Sequence, residues 1–444
     1  MSKRLSQLLL IPFLLFYASQ VSAAEKEEQY IEDEIIYSLM VDRFNNGDTS
    51  NDGDGINYNN PKGYHGGDIE GVIRKLDYIQ TMGFTTISLS PIFGSDSFDG
   101  SSVHDLKKVD KHFGTMDDVK RLVSEAHTRD MKIILQFITN NKDKQYIIET
   151  AKWWIEQTDI DGYYLKDTDK FPSQFWSKFS KEMKTLKRNF ILIGDAERES
   201  NGNDLFLNHS FYKEASNVFS KPNQSIKSLL DQEIDSLSAT FIDNEDEIRF
   251  TRKAVENKFH PGTRIRMALA YMYTAPGVPV IYYGTEIALD GGKAPDNLKM
   301  MDFQTGEELI QYIEKLAKVR HSLPVLAKGN IELLYEKNGM AIYKRTYRNE
   351  SVIVALNNTT ETQKVMISNE EIAENKELRG LLTGDIFHEE NGYYEFILDR
   401  ELAEVYEIKE QTGPNWPLIS VFILVPGLFL LFLIVVKRRG KRAS

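Results

Sequence analysis

From about residue 30 to 325, short apolar runs alternate with amphipathic helical stretches, and this alternation limits the possible folds more than any other feature of the chain. EIIYSLMV, FTTISLS, MKIILQFIT, GYYL, FILIG, ATFI and VPVIYYG read as strands. Asp68 to Met82 reads as one helix, with Ile69, Val72, Ile73, Leu76 and Ile79 on one face and Gly83 as its stop. Thr115 opens another helix, with Asp118 three residues on as a capping box and Val119, Leu122, Val123 and Ala126 as the apolar face. Strand–helix repetition over about 300 residues predicts an α/β chain whose parallel sheet closes into a barrel of ordinary size. An open doubly wound sheet is the alternative, but no Gly-x-Gly-x-x-Gly follows the first strand.

The pattern changes near Gly329. Short strands separated by turns at Lys337–Gly339 and Asn391–Gly392 predict a small antiparallel domain over 329–409, after a barrel domain over 25–328. Residues 410–415 read as a linker. Trp416 to Val436 is a 21-residue stretch without charge, enough as a helix to span about 30 Å of hydrocarbon, and a basic tail, 437–444, follows. At the other end Lys3 and Arg4 precede the apolar run Leu8–Phe16 and small residues at Ser22, Ala23 and Ala24, the order of a secretory leader over 1–24. Positive charge stays inside, so these ends predict a single-pass protein of the cell membrane with its body outside, at a bacterial cell surface. Cysteine is absent, which excludes disulfides and thiol chemistry. The chain carries −12 overall; without the two cations of the first 24 residues and the five of the last eight, the body carries −19. Such a body repels phosphate backbones, so nucleic acid is not an expected partner.

Five segments in order, IIYSLMVDRF, GGDIEGVIRKLDYIQTMGFTTISLSPIF, VDKHFGTMDDVKRLVSEAHTRDMKIIL, FIDNEDEIRF and APGVPVIYYGTEIALDGGKAPDNLKMM, resemble the α-amylase family, glycoside hydrolase family 13. The resemblance covers residues 30 to 409. It implies a (β/α)8 TIM barrel followed by a C-terminal β-sandwich, to which the ends add one transmembrane helix. The insert that family members usually carry after the third strand is nearly missing, since only about 20 residues separate Asn141 from Asp161.

A retaining glycosidase needs an attacking carboxylate and a proton-donating carboxyl about 5–5.5 Å apart. The family adds a third carboxylate that grips sugar hydroxyls. Laid on this sequence, the third-strand motif reads QFITNN: Gln136 stands for its aspartate, Asn140 is kept, and Asn141 replaces its histidine. The fourth-strand motif reads GYYLK, with Tyr164 for the arginine and Lys166 for the nucleophile. Asp195 takes the place of the acid, one methylene shorter; Glu245 replaces a histidine, and Asp246 keeps the third carboxylate. The resemblance thus implies Asp246, Asp195 and Lys166 at degenerate catalytic positions, and Asn140, Tyr164 and Glu245 at substrate-binding ones. An ammonium cannot act as the attacking anion, and beside a cation-like transition state it is repulsive by about 4 kcal/mol at 4 Å and an effective dielectric near 20. Lys166 is expected to pair with Asp246, Asp195 or both. Asp167 could replace it only through a one-residue slip, which would turn that side chain to the other face of the strand.

The loop FNNGDTSNDGDGIN is rich in side-chain oxygen, as a hard cation requires. It resembles the N-terminal calcium loop of bacterial amylases and cyclodextrin glucanotransferases, and the match implies Asn46, Asp48, Asn51, Asp52, Asp68 and the Gly66 carbonyl as calcium ligands. An EF-hand-like set at Asp48, Ser50, Asp52 and Gly53 lacks its glutamate, Asn59 standing there, and a plain solvated loop is the remaining alternative. Trp153, Trp154, Tyr163, Tyr164, Phe171 and Trp176 are candidates for stacking on sugar, although Trp153 and Trp154 read as core. The leading expectation is a pseudo-glycosidase that binds α-glucan, a malto-oligosaccharide, or another partner. A weak α-glucan hydrolase or transglycosylase, and an ancillary scaffold subunit of a membrane complex, are the alternatives.

Overall fold

The computed structural model describes residues 30–53, 56–139, 143–166, 168–195, 202–230, 232, 236–411 and 416–440. The expected leader, Asn140, Asn141, Asp167, most of the linker and the last four residues of the tail lie outside the described residues.

Eight parallel strands close a barrel in chain order: β1 (Ile36–Leu39), β2 (Thr86–Leu89), β3 (Lys132–Phe137), β4 (Gly162–Leu165), β5 (Ile191–Gly194), β6 (Leu205–Leu207), β7 (Ser238–Thr240) and β8 (Val278–Tyr282), which pairs back onto β1. Their period of two sorts the side chains. Ile36, Ile134, Tyr164, Ile193, Phe241 and Val280 belong to the cluster that fills the interior. The intervening Tyr37, Leu135, Tyr163, Leu165 and Leu192 pack against the outer helices. Gly162, in phase with Tyr164, keeps β4 against β5, because a Cβ there would lie 2.5 Å from the Ile191 carbonyl oxygen.

Helix Met116–His127 begins as its capping box requires: Asp118 donates its backbone N–H to Thr115 Oγ1 (3.3 Å), and Thr115 returns its own to Asp118 Oδ2 (2.9 Å). The helix expected over 68–82 is two helices, Ile69–Arg74 and Leu76–Thr81, separated at Lys75 (φ −108°, ψ 7°). Both bury the same face through Ile69, Val72, Leu76 and Ile79, so the apolar period runs through a break it cannot reveal. β6 has no counterpart among the strands read from the sequence, since three residues are too few to show a period.

Past helix Pro324–Lys328, two antiparallel sheets face each other. The larger has six strands, in spatial order Asn330–Lys337, Met340–Tyr347, Glu350–Asn357, Leu402–Glu410, Lys376–Gly380 and Ile386–His388; the smaller pairs Gln363–Ser368 with Tyr393–Leu398. Asn338 (φ +52°) and Gly339 (φ +99°) form the two-residue turn of the first hairpin, a conformation that favours this dipeptide. Ile342, Ile353, Leu378, Phe396 and Tyr406 are buried between the sheets. On the other face Tyr343, Val352 and Val354 join the core of the barrel helices. Arg345 and Arg264, both fully buried, tie the junction through the Gly329 carbonyl (2.7 Å) and Glu401 (2.9 Å).

A last helix runs from Trp416 to Gly440, with apolar side chains exposed along 424–434. Among the described residues no helix is long and apolar enough to cross a membrane. The transmembrane span expected over 416–436 goes beyond what the fold supports and is taken up below as a proposal.

Candidate active site

The side-chain period carries β4 inward at Gly162, Tyr164 and Lys166, and β5 inward at Ile191, Ile193 and Asp195. Backbone bonds continue the sheet past both strand ends, from Lys166 N–H to the Phe137 carbonyl (3.3 Å) and from Asp195 N–H to the Leu165 carbonyl (3.2 Å). After β7 the chain turns through Asp243–Glu247. Asp243, buried, accepts from Phe250 N–H (2.6 Å) and Thr285 Oγ1 (2.9 Å), while Asn297 donates its side-chain amide to the carbonyls of Glu245 (2.8 Å) and Glu247 (2.9 Å). Asn244 Oδ1 accepts from Asp246 N–H at 3.1 Å. These bonds hold Glu245 and Asp246 at the C-terminal mouth of the barrel, where such folds place their reactive groups.

Three of the expected positions meet there. Lys166 Nζ lies 2.6 Å from Asp246 Oδ2 and 2.7 Å from Glu245 Oε1, with Asp195 Oδ2 at 4.0 Å. Glu245 is the partner the sequence did not suggest. It also accepts from Gln136 Nε2 at 3.0 Å, so the residue standing for the third-strand aspartate supports the same carboxylate. Glu245 and Tyr164, the residues expected at substrate-binding positions, both have internal hydrogen-bond partners. Tyr164 is 6 % exposed and donates its hydroxyl to Asp195 Oδ1 (3.2 Å); its length in place of an arginine lets it fill the barrel interior and still reach that carboxylate.

Burial alone would lower the Lys166 pKa, but Glu245, Asp246 and Asp195, with the Tyr164 ring 5.4 Å away, raise it far above the ordinary lysine value. Burial alone would raise the Asp195 carboxyl. The hydrogen bond with His209 (3.2 Å) and the charge of Lys166 outweigh it and hold Asp195 below the usual aspartate range. His209 is raised in return, first by that hydrogen bond, with burial opposing. The site therefore sets one cation among three carboxylates, with Asp195 favoured in its ionised form. The sequence reading missed His209 because it follows β6, the strand that reading also missed.

The aromatic candidates belong mostly to the core. Trp154, Tyr163 and Trp176 are buried and donate to the carbonyls of Leu106 (2.7 Å), Ala151 (2.8 Å) and Thr168 (2.7 Å). Trp153 and Phe171 are half-buried and pack on the same cluster. Below the ion cluster a cavity of about 20 Å³ remains, bounded by Ser38, Ser88, Tyr164, Asn244 and Glu245 among apolar side chains, which is room for about one water.

The loop after β1 brings its candidate cation ligands together in two pairs. Asn46 Nδ2 donates to Asp52 Oδ1 (3.0 Å), and Asn51 Nδ2 to Asp68 Oδ2 (3.1 Å). Asp68, fully buried, also caps helix Ile69–Arg74 at Gly71 N–H (2.6 Å) and accepts from the N–H groups of Gly47 (3.0 Å) and Asp48 (2.7 Å). Burial pushes its pKa up, against the hydrogen bonds it accepts from Gly71, Asp48, Asn51 and Gly47. Gly66 takes φ +87°, beside Asn46 and Asp52. Asn46 Oδ1 and Asn51 Oδ1 are buried with no hydrogen-bond partner among the described residues. Two orphaned amide oxygens beside carboxylates suit a hard, oxygen-seeking cation. Among the described residues no group of three or more His, Asp or Glu is placed to hold a metal, so a cation here would depend on amide and carbonyl oxygens.

Two family models match the chain: the alpha amylase catalytic domain over residues 38–213 and the alpha-amylase C-terminal domain over 329–406. A solved α-amylase from Anoxybacillus is 43% identical, with a TM-score of 0.84 over 87% of this chain and 100% of that one. A second, from Geobacillus thermoleovorans in complex with acarbose, is 40% identical with a TM-score of 0.82 over the same shares. The Beta/alpha-amylase of Paenibacillus polymyxa is 28% identical over 84% of this chain, which spans 37% of that relative's length. The cyclomaltodextrinase of Thermoanaerobacter pseudethanolicus is 26% identical, with 79% of this chain and 75% of the relative covered.

Proposed function

Since the chain belongs to the α-amylase family of glycoside hydrolases, its fold is one built to present acidic side chains to an α-glucan, and we propose that it keeps the fold without the hydrolysis, acting as a membrane-held binding or interaction module. The observation that carries this reading is the Lys166 amine, 2.6 and 2.7 Å from Asp246 and Glu245, at the position where the family's nucleophile would stand. A group pinned as an ammonium has no lone pair to attack with and repels the positive charge that develops on the sugar. Asp195 supports the same conclusion: held ionised by His209 and Lys166, it has no proton to give the leaving oxygen.

The ligand class is α-glucan, on the strength of the 40% identical relative solved with acarbose. The leader at 1–24 and the apolar stretch at 416–436 would hold the body outside the cell membrane, with the exposed apolar side chains of 424–434 in lipid. Calcium would sit in the loop after β1, where Asn46, Asn51, Asp52, Asp68 and the Gly66 carbonyl would hold it, with Asp48 at the loop's edge; it would stiffen that loop and neutralise Asp68. The test is release of reducing sugar from starch and malto-oligosaccharides by the unaltered chain beside a Lys166→Ala control. Equal, background-level rates are expected, and activity above the control would refute the reading.

A further inference from the structure

We infer that Lys166 is a crossbar that shuts the central sugar position of the barrel mouth, so that an α-glucan can only lie on the rim outside it. This deepens the proposal above and rests on Lys166 standing at the attacking position. β4, which carries Lys166, and β7, which leads to Glu245 and Asp246, are separated in the barrel by β5 and β6. The side chain therefore crosses the opening instead of lining one wall. It is 15% exposed, and its amine is fixed at the far side by two contacts below 3 Å.

Side-chain length sets the consequence. From Cα to the terminal atom an aspartate has three bonds and a lysine five, so the amine reaches roughly 2.5 Å further into the mouth. In a retaining site the sugar's anomeric carbon lies just beyond the attacking oxygen. The Lys166 amine thus occupies the place of the reacting carbon rather than that of the nucleophile. It also takes Asp246, the carboxylate that would grip sugar hydroxyls, while Tyr164 occupies Asp195. The cavity beneath has room for about one water, so the amine cannot withdraw inward into the barrel. A neutral sugar hydroxyl offers the two carboxylates no charge in exchange for the ammonium, and so does not displace it.

The experiment is calorimetric titration of acarbose into the full chain in a non-glycosidic detergent. The unaltered protein and Lys166→Arg, which keeps the cation and its reach, are expected to show no site at the mouth. Lys166→Ala combined with Glu245→Gln, which opens the mouth without adding net charge, is expected to gain one site about tenfold tighter or more than anything in the unaltered chain. If that variant melts early, Lys166→Ser combined with Glu245→Gln, which also adds no net charge, serves in its place. Binding by the unaltered chain with the affinity and stoichiometry of the opened variant would overturn the crossbar, as would an opened variant that gains no site. Neither result touches the non-hydrolytic reading, which fails only if the unaltered chain cleaves glucan.

Discussion

Replacing Lys166 with methionine tests whether the amine is a structural part of the barrel mouth. The substitution keeps most of the apolar stem and removes the charge, so Glu245 and Asp246 lose their common partner. The two losses differ. Asp246 is 64% exposed at its side chain, and an exposed pair is worth about 0.2–1 kcal/mol. Glu245 is 16% exposed, and removing the partner of a buried charge costs about 3–5 kcal/mol. The lower end applies, because the mouth is open to water on one side and Gln136 still donates to Glu245 at 3.0 Å. The sum is a loss of about 3–4 kcal/mol, or a urea midpoint lowered by up to about 1 M for a body of this size. Tryptophan emission reports on the barrel, since Trp153, Trp154 and Trp176 lie in it. The decisive quantity is the coupling with Glu245→Gln: in the Lys166→Met background that change should be neutral or stabilising, giving an interaction energy of about 2–3 kcal/mol. A Lys166→Met variant within about 0.5 kcal/mol of the unaltered chain, or a Glu245→Gln cost equal in both backgrounds, would refute the reasoning.

His209→Gln should separate the pH dependence of the Asp195 pair. The His209 pKa is raised in the folded state, so its contribution is complete below the unfolded value near 6.5 and is lost as pH rises through the folded value. Urea midpoints of the unaltered chain and the variant should therefore differ most near pH 6 and converge as pH rises toward about 9. In acid the sign reverses for Asp195, whose lowered pKa contributes stability above the unfolded value near 3.9 that is lost as pH falls through the folded value, and Asp195→Asn should flatten that limb. Calcium at about 100 times its dissociation constant should stabilise the chain by about 2.7 kcal/mol, seen as a melting point a few degrees higher, and Asn51→Ala or Asp52→Ala should abolish the shift. Gly162→Ala should cost about 1–3 kcal/mol in urea unfolding, because its methyl would press on the Ile191 carbonyl; no loss would mean that β4 can move away from β5.

The barrel was legible because its signal is repetitive. Strands such as IILQF and LIG put every second residue inside, and that period survives without knowledge of the partner strands. It also fixed Lys166 on the inner face, in phase with Tyr164. The period failed where an element is too short, as at β6, or where a kink keeps the apolar face in line, as at Lys75. At the site, the resemblance located the positions but not their connections. That Glu245 shares Lys166 with Asp246 depends on the turn clamped by Asn297, some 50 residues further along, and no local pattern announces it. His209 was hidden for the same reason as β6. The tryptophans near β4 could not be assigned from sequence because an indole suits both a core and a sugar face; the carbonyls that take the N–H groups of Trp154 and Trp176 decide it.

Lys166 and Glu245 form one unit, and this bears on how the proposed absence of hydrolysis is tested. The family pattern implies an aspartate and a histidine at these two positions. An ammonium introduced alone would face only Asp246 and Asp195, and a glutamate introduced alone would stand among three acids. Together they bring one positive and one negative charge, satisfied at 2.7 Å. Reversing Lys166 by itself therefore does not restore the site. Lys166→Asp would place a fourth carboxylate beside Asp195, Glu245 and Asp246, and like charges at such separations cannot all stay ionised. The attacking group would be among those protonated or displaced. Lys166→Asp combined with Glu245→His and Asp195→Glu removes the excess negative charge, reopens the mouth and returns the missing methylene of the proton donor. Malto-oligosaccharide cleavage should be at background in the single variant and measurable in the triple one. A single variant as active as the triple would show that Glu245 is a bystander, and that the amine alone keeps the barrel silent.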